Sequence, residues 1–392
     1  MSNVTNEGYL PSYMRRLPTV AHVTSAHKSD DNRIFNKECR TLANAGYNVF
    51  LIAPGEHDTF RDGVHIKAIP ASRSRLERMT KTVWQAYRAA ARSRAQICHL
   101  HDPELLTIAL LLRLRGRIVI FDWHEDLVDD LLSKPYMKPW VRKVFSALFS
   151  CVLWAIRGSI SGFVAATPAI ARRFPPIKTA IVHNYPYVDE LCGPSDESIA
   201  KLPQAIYLGG ISKIRGIFEM IKSMEGDQIP ASASLLIVGE FESNELFEQA
   251  RVMPGWQKIR FLHWQPRKHL GSLLAESAVG LVLFCPEPSH FEAMPNKFFE
   301  YMASGLPVIV SDFPMWRALI EAEGCGICVD PMNPSAIASA IAFLLNSPEK
   351  AAEMGKAGRQ AVLARYNWSH EADTLLRFYS TLLGNDHRRG RT

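Results

Sequence analysis

Apolar positions fall into short runs separated by amphipathic stretches, and the two kinds of segment alternate along almost the whole chain. Thr19–Thr24, Val49–Ala53, Val64–Ile69, Ile97–Leu100 and Arg117–Phe121 are brief runs rich in β-branched and aromatic residues. Helices are predicted between them over Arg33–Ala45 (closing at Gly46), Glu77–Arg94 and Glu104–Leu114. Gly162–Thr167 and Thr179–His183 extend the same series. Strands that alternate with helices predict a parallel, doubly wound sheet covered on both faces. The rhythm then restarts with strands at Ala205–Leu208, Ser234–Val238, Ile259–Leu262, Val279–Phe284, Pro307–Val310 and Gly326–Val329. Beyond Pro331 the pattern is helical to about Leu383, with breaks at Ser347-Pro348 and Tyr366–Trp368. A chain of 392 residues exceeds one typical core. The expected fold class is therefore α/β, with two doubly wound parallel-sheet domains. The expected divisions are a mobile arm over 1–18, a first domain over 19–188, a linker over 189–202, a second domain over 203–369, a last helix over 370–385 and a basic tail over 386–392.

Charge changes this picture in one respect. Residues 1–188 hold 26 Lys and Arg against 15 Asp and Glu, whereas 189–392 hold 19 against 24, so +11 and −5 make up the net +6. Residues 131–188 contain eight basic residues and no acidic one. Within them, Val144–Ile156 is apolar nearly all round, beside Trp140, Lys138, Arg142 and Lys143. Such a helix either packs under its own sheet or rests shallowly in a membrane interface, and the pattern leaves both open. The expected partners of the basic region are an anionic membrane surface or an anionic acceptor; nucleic acid is not expected, since no known binding module is present. No apolar run approaches the ~20 residues of a membrane span, and Met1–Leu17 lacks the apolar core of a signal peptide. A cytoplasmic, peripherally membrane-bound protein is expected. The seven cysteines are scattered. Cys325-Gly-Ile-Cys328 has no second pair or nearby histidine, so reduced thiols are expected.

The richest chemistry lies in Glu292-Ala-Met294-Pro295-Asn296-Lys297-Phe-Phe-Glu300-Tyr-Met-Ala-Ser-Gly305. It reads as loop, helix and turn, with Pro295 at the first helical position and Gly305 as the left-handed residue past the end. A helix start offers free N–H groups and a positive dipole end, a natural seat for a diphosphate. Glu292 and Glu300 flank it. Upstream, Gly209-Gly210-Ile-Ser-Lys213-Ile-Arg215-Gly216 joins a strand to a helix, where glycines admit a close ligand and Arg215 offers a fork for phosphate oxygens; a plain turn is the alternative. In the first domain, His27, Asp31 and Arg33 either line a cleft or, for Asp31, simply cap a helix. His101-Asp102 and His124 follow other strands. No metal site is expected, because no helical histidine pair occurs and His99 and His101 share one strand face.

With these residues in view, the chain resembles the retaining GT-B glycosyltransferases of family 4 (group 1). The marks are Glu292-x7-Glu300, Phe299–Val308, Asp31-Asn-Arg33-Ile-Phe with Lys37-Glu38, His101-Asp102-Pro-Glu, and Gly209-Gly210-x-x-Lys213-x-Arg215-Gly216. The resemblance implies two Rossmann-like domains facing across a cleft, the last helix returning to the first. It implies a metal-independent, retaining hexosyltransferase of bacterial type acting in polysaccharide, exopolysaccharide or glycoconjugate assembly. The donor would be a nucleotide sugar, UDP-sugar favoured, the acceptor lipid-linked or a saccharide, with no other cofactor. Glu300 would hold the ribose, Glu292 the transferred sugar, Arg215 and Lys213 the diphosphate, and His124 would approach donor and acceptor. His27, Asp31, Arg33, His101 and Asp102 would line the acceptor side; Gly209, Gly210, Met294, Pro295, Asn296 and Lys297 the donor side. Two departures stand out: Ala293-Met294-Pro295 replaces a common Gly-Phe-Gly, and Gly210 replaces a frequent arginine, for which Lys297 would partly compensate. A sugar-nucleotide epimerase of the same fold and a catalytically silent donor-binding homologue are the alternatives.

Overall fold

The predicted strands assemble into two separate sheets. The computed structural model describes residues 18–123, 157–188 and 201–389. These divide into a first unit (18–123, 157–182 and 372–389) and a second (183–188 and 201–371). The Lys134–Ile156 stretch, His124 and most of the predicted linker lie outside the described residues.

The first unit's strands are β1 Thr19–Val23, β2 Asn48–Pro54, β3 Thr59–Arg61, β4 Val64–Ile69, β5 Ile97–Leu100, β6 Ile118–Trp123, β7 Gly162–Ala165 and β8 Thr179–Ile181. Their order is β3-β4-β2-β1-β5-β6-β7-β8. All neighbours are parallel except β3 and β4. Strand β3 escaped prediction because its three residues are all exposed and carry no apolar alternation. β1 and β5 are the central strands, and nearly every residue in them is buried.

The predicted helix after β1 forms, but its first turns, Asn32–Cys39, are π-wound before Arg40–Asn44 becomes α-helical. Asp31 caps it, accepting from the Arg33 and Ile34 N–H groups at 2.9 and 2.8 Å. The plainer of the two Asp31 readings therefore describes what its side chain does here.

The second unit's strands are β9 Gln204–Leu208, β10 Ser234–Val238, β11 Ile259–Leu262, β12 Val279–Val282, β13 Val308–Ser311 and β14 Gly326–Val329. Their order is β11-β10-β9-β12-β13-β14, every pair parallel. Alternate residues feed two cores. Ala205, Tyr207, Leu235, Ile237 and Leu281 pack on one face, and Ile206, Leu208, Leu236, Val238 and Val282 on the other. This two-faced burial explains why the strands read as continuous apolar runs.

The breaks at Ser347 and near Trp368 separate helices Pro334–Asn346, Pro348–Ala364 and Trp368–Arg389. The last of these runs past the predicted end at residue 385. The stretch expected as a tail is helical to Arg389.

Candidate functional site

In parallel α/β sheets the chemistry collects beyond the carboxyl ends of the strands, and in the second unit four such ends contribute. After β9 the chain enters Gly209, with φ at +112°. A side chain on neighbouring Gly239 would stand 1.9 Å from the Gly209 carbonyl oxygen, so the β9 and β10 turns require glycine to lie this close. The Gly210 carbonyl is fixed by the Tyr207 hydroxyl at 2.7 Å and by Arg215 Nη1 at 3.1 Å. Arg215 ends the short 3-10 turn Lys213–Arg215 and is half-buried, while Lys213 is exposed. Glycine in place of a side chain at 210 lets the guanidinium fold inward: a Cβ there would meet Arg215 Nη1 at 2.8 Å.

Beyond β12, the loop carrying Glu292 is tied down by Trp316, whose indole N–H donates to the Ala293 carbonyl at 2.8 Å. Glu292 itself is exposed and Met294 half-buried against the core. The helix spans Asn296–Ala303, with Pro295 as its extended cap rather than its first residue. The missing N–H therefore falls one position earlier than predicted. At the other end Leu306 N–H donates to the Tyr301 carbonyl and Gly305 N–H to that of Met302, at 2.9 and 3.0 Å, with Gly305 at φ +69°. This paired closure is the one glycine allows and is where the sequence placed it.

Two side chains of this helix turn inward. Lys297 is buried, and its Nζ lies 3.7 Å from the centre of the Tyr207 ring. A Cβ on Gly209 would meet that ammonium at 3.5 Å. It has no hydrogen-bond partner among the described residues. Burial first, and then Arg215, push its ammonium pKa well down, against a smaller upward pull from Glu300. Glu300 is nearly buried and bonded to Arg267 Nη1 at 3.0 Å. Sequence reading missed Arg267, which opens helix Arg267–Glu276 after β11; an arginine right after Gln265-Pro266 was the available signal. The predicted donor residues Gly209, Gly210, Arg215, Lys297 and Glu300 thus meet at one end of one sheet. Glu292 and Lys213 stand at its exposed margin.

The first unit treats its predicted residues differently. Arg33 was expected to line a cleft, yet it is buried, with Nε and Nη2 on the two Asp122 oxygens at 2.8 and 2.9 Å and Nη1 on the Val182 carbonyl at 3.0 Å. Its donors are spent on holding β6 and the chain after β8, so it is an internal tie. His101 is likewise buried, with Nδ1 3.1 Å from Asp122 Oδ2 and Nε2 2.9 Å from His22 Nδ1. Asp102 is buried too. It accepts from Thr24 Oγ1 and Ser25 N at 2.7 and 2.6 Å and lies 3.0 Å from His27 Nδ1. Burial pushes its carboxyl up, but the His27 bond and charge, with Thr24 and Ser25, outweigh that and hold it well below the usual range. Of the acceptor-side set, only His27 and Asp31 keep substantial exposure.

Two parallel-sheet α/β units, the second with a cationic glycine turn facing a helix start, define the GT-B class of glycosyltransferase architecture. Solved structures agree on the fold. A sucrose-phosphate synthase from Thermosynechococcus elongatus superimposes with a TM-score of 0.75 at 19% identity, covering 94% of this chain and 100% of that one. Anabaena HepE, solved with UDP-glucose, gives 0.69 at 14%, covering 93% and 100%. Two family models match in sequence: the glycosyl transferase 4-like domain over residues 32–184 and the glycosyl transferases group 1 domain over 194–361. The chain belongs to the group 1, family 4 glycosyltransferases. Curated relatives include spore coat protein SA of Bacillus subtilis, 26% identical over 44% of this chain and 48% of its own length. Another is the phosphatidyl-myo-inositol mannosyltransferase of Mycobacterium leprae, 29% identical over 38% of each chain. These matches span less than half the length of either relative.

Proposed function

We propose that this protein transfers a sugar, with retention at the anomeric carbon, from a nucleotide diphosphate donor to a lipid-linked or saccharide acceptor. A UDP-sugar is the favoured donor. The observation that carries the reading is the Lys297 ammonium: buried, without a hydrogen-bond partner among the described residues, and beside the Gly209 turn and Arg215. Burial disfavours the charged form of Lys297, an anion beside it restores that form, and a diphosphate between the glycine turn and the helix start supplies one. Lys297 then stands where the frequent arginine at position 210 is missing. Glu300, kept in place by Arg267, takes the ribose hydroxyls, and Glu292 the transferred sugar. Support for the nucleotide comes from Anabaena HepE, solved with UDP and with UDP-glucose, and from UDP-forming trehalose-phosphate synthases of the same fold.

In the proposed step, the bond from the anomeric carbon to the diphosphate oxygen breaks while the acceptor hydroxyl oxygen bonds to that carbon on the same face. The acceptor's proton passes to the departing phosphate oxygen. Lys297, Arg215, Lys213 and the helix dipole stabilise the charge gathering on that phosphate, which is the work a metal ion would otherwise do. No other cofactor enters. The role given to His124 falls outside the described residues and stays part of this proposal.

A thermal-shift screen of UDP, GDP, ADP and their glucose conjugates tests the reading. A ligand at 100 times its Kd adds about 2.7 kcal/mol of stability, so UDP and UDP-glucose should raise Tm clearly. Lys297→Met and Glu300→Gln should each weaken that response at least tenfold. If no nucleotide shifts Tm, or Lys297→Met responds as the wild type does, the donor assignment is wrong. NMR of the donor incubated alone separates transfer from epimerisation, since only an epimerase would convert it without acceptor.

A further inference from the structure

Strands β1 and β5 run side by side with His22 opposite His99. His101, two residues on, points to the same face of the sheet. The three rings pack together with centroids 4.7, 5.1 and 4.7 Å apart, His101 stacked on both others and His22 tilted against His99. Glu38, from the π-wound turn, closes over them: its Oε2 lies 3.7 Å from His22 Nδ1, 3.8 Å from His99 Nδ1 and 3.9 Å from His101 Nε2. All four side chains are fully buried, and one donor atom from each lies within 4.8 Å of the others. Neither Glu38 oxygen accepts a hydrogen bond among the described residues. Arg33 Nε is 3.1 Å from Oε1, but its proton is directed to Asp122. Asp122 itself can bond Glu38 only if one of the two carboxyls is protonated.

We infer that His22, Glu38, His99 and His101 bind one divalent transition-metal ion, with Zn2+ favoured by the donor set, as a structural site inside the first unit. Three imidazoles and one carboxylate are a tetrahedral zinc set, with ligands about 2.0–2.1 Å from the metal and so roughly 3.3 Å from one another. The observed separations run from 2.9 Å up to at most 4.8 Å and bracket that value. The ion replaces the His22–His101 and His99–Tyr379 contacts, at 2.9 and 2.7 Å. The outer groups are already in position. His101 Nδ1 faces Asp122 Oδ2 at 3.1 Å, the carboxylate–histidine–metal arrangement that fixes a ligand's tautomer. His22 Nε2 faces the Tyr379 hydroxyl of the last helix at 3.4 Å. The site would tie β1, β5, the capped helix and the final helix together, and it is independent of the donor-site reading.

The test uses the untagged full-length chain. After dialysis against metal-free buffer, elemental analysis should find close to one zinc per chain. After chelation, added Co2+ should give the intense visible absorption of tetrahedral cobalt. His22→Asn and Glu38→Gln should each weaken cobalt binding at least tenfold, while His263→Asn, at an exposed histidine, should not change it. Zinc at background together with a spectrum of aqueous cobalt would overturn the site; the wild-type measurement decides this even if a variant fails to fold. Tetrahedral cobalt that survives both ligand substitutions would overturn it equally.

Discussion

At the scale of single residues, Lys297 is the side chain whose chemistry and surroundings disagree most. Burial lowers its ammonium pKa, Arg215 adds to the effect, and Glu300 opposes it less strongly. A group whose folded pKa lies below its unfolded value of about 10.4 binds its proton more readily when unfolded, so stability rises with pH from the folded pKa up to the unfolded one. Adding a diphosphate reverses the imbalance, because the anion favours the charged ammonium. Nucleotide binding should therefore be accompanied by proton uptake, growing as pH rises above the folded pKa. Calorimetry of UDP binding in buffers of different ionisation enthalpy measures that uptake directly. Lys297→Met should abolish it and flatten the alkaline rise in stability; uptake that persists in the variant would place the proton elsewhere. Sequence alone gave the position of Lys297 on the first turn, but not its burial, which depends on Tyr207 and Gly209 arriving from another strand.

Elements carry the next level of argument, because the Asn296–Ala303 helix, packed through Phe298, Phe299, Tyr301 and Met302, meets its sheet in a tight contact at Tyr301. Tyr301 packs flat on Gly280 of β12, where a Cβ would lie 2.3 Å from the ring, and its hydroxyl accepts from Leu208 N–H of β9 at 2.8 Å. Gly280→Ala must push the helix away, and with it Lys297 and Glu300. Overpacking of this kind costs about 1–3 kcal/mol, and here donor affinity should fall with stability. Gly305→Ala is the contrast: nothing stands within 4 Å of the added methyl, and only the φ of +69° is strained. That should cost about 1–2 kcal/mol and leave donor affinity within twofold. Urea unfolding and nucleotide titration of the two variants separate the cases; equal affinity in both would mean that helix position does not govern the donor site. Helix, cap and strands were legible because their periodicity and punctuation are local. The π-wound start of Asn32–Cys39 was not, nor was Arg33 turning inward, which depends on Asp122 of β6.

For the whole molecule, the two-sheet plan was readable because each parallel strand is buried on both faces and so writes itself as an apolar run. The buried histidine cluster shows what such reading leaves out: His99 and His101 were visible as a pair, but His22 and Glu38 join them only through strand register and helix packing. Charge is a further whole-chain property, and it bears on the proposed lipid-linked acceptor. The first 188 residues carry +11 and the remainder −5. No helix among the described residues is long and apolar enough to cross a membrane, so any attachment through these residues would be at the interface. A lipid-linked acceptor would place the substrate at an anionic surface, and each basic residue near it contributes about 1 kcal/mol of attraction. Co-sedimentation with vesicles should accordingly rise as phosphatidylglycerol replaces phosphatidylcholine. It should fall steeply as salt shortens the Debye length from about 10 Å at 0.1 M toward 3 Å at 1 M. Charge reversal at Lys138, Arg142 and Lys143 together should remove most of the binding while leaving the UDP-induced rise in Tm unchanged, because those residues lie far in sequence from the donor-binding turn. Binding that ignores both lipid charge and salt would leave a soluble saccharide as the better acceptor.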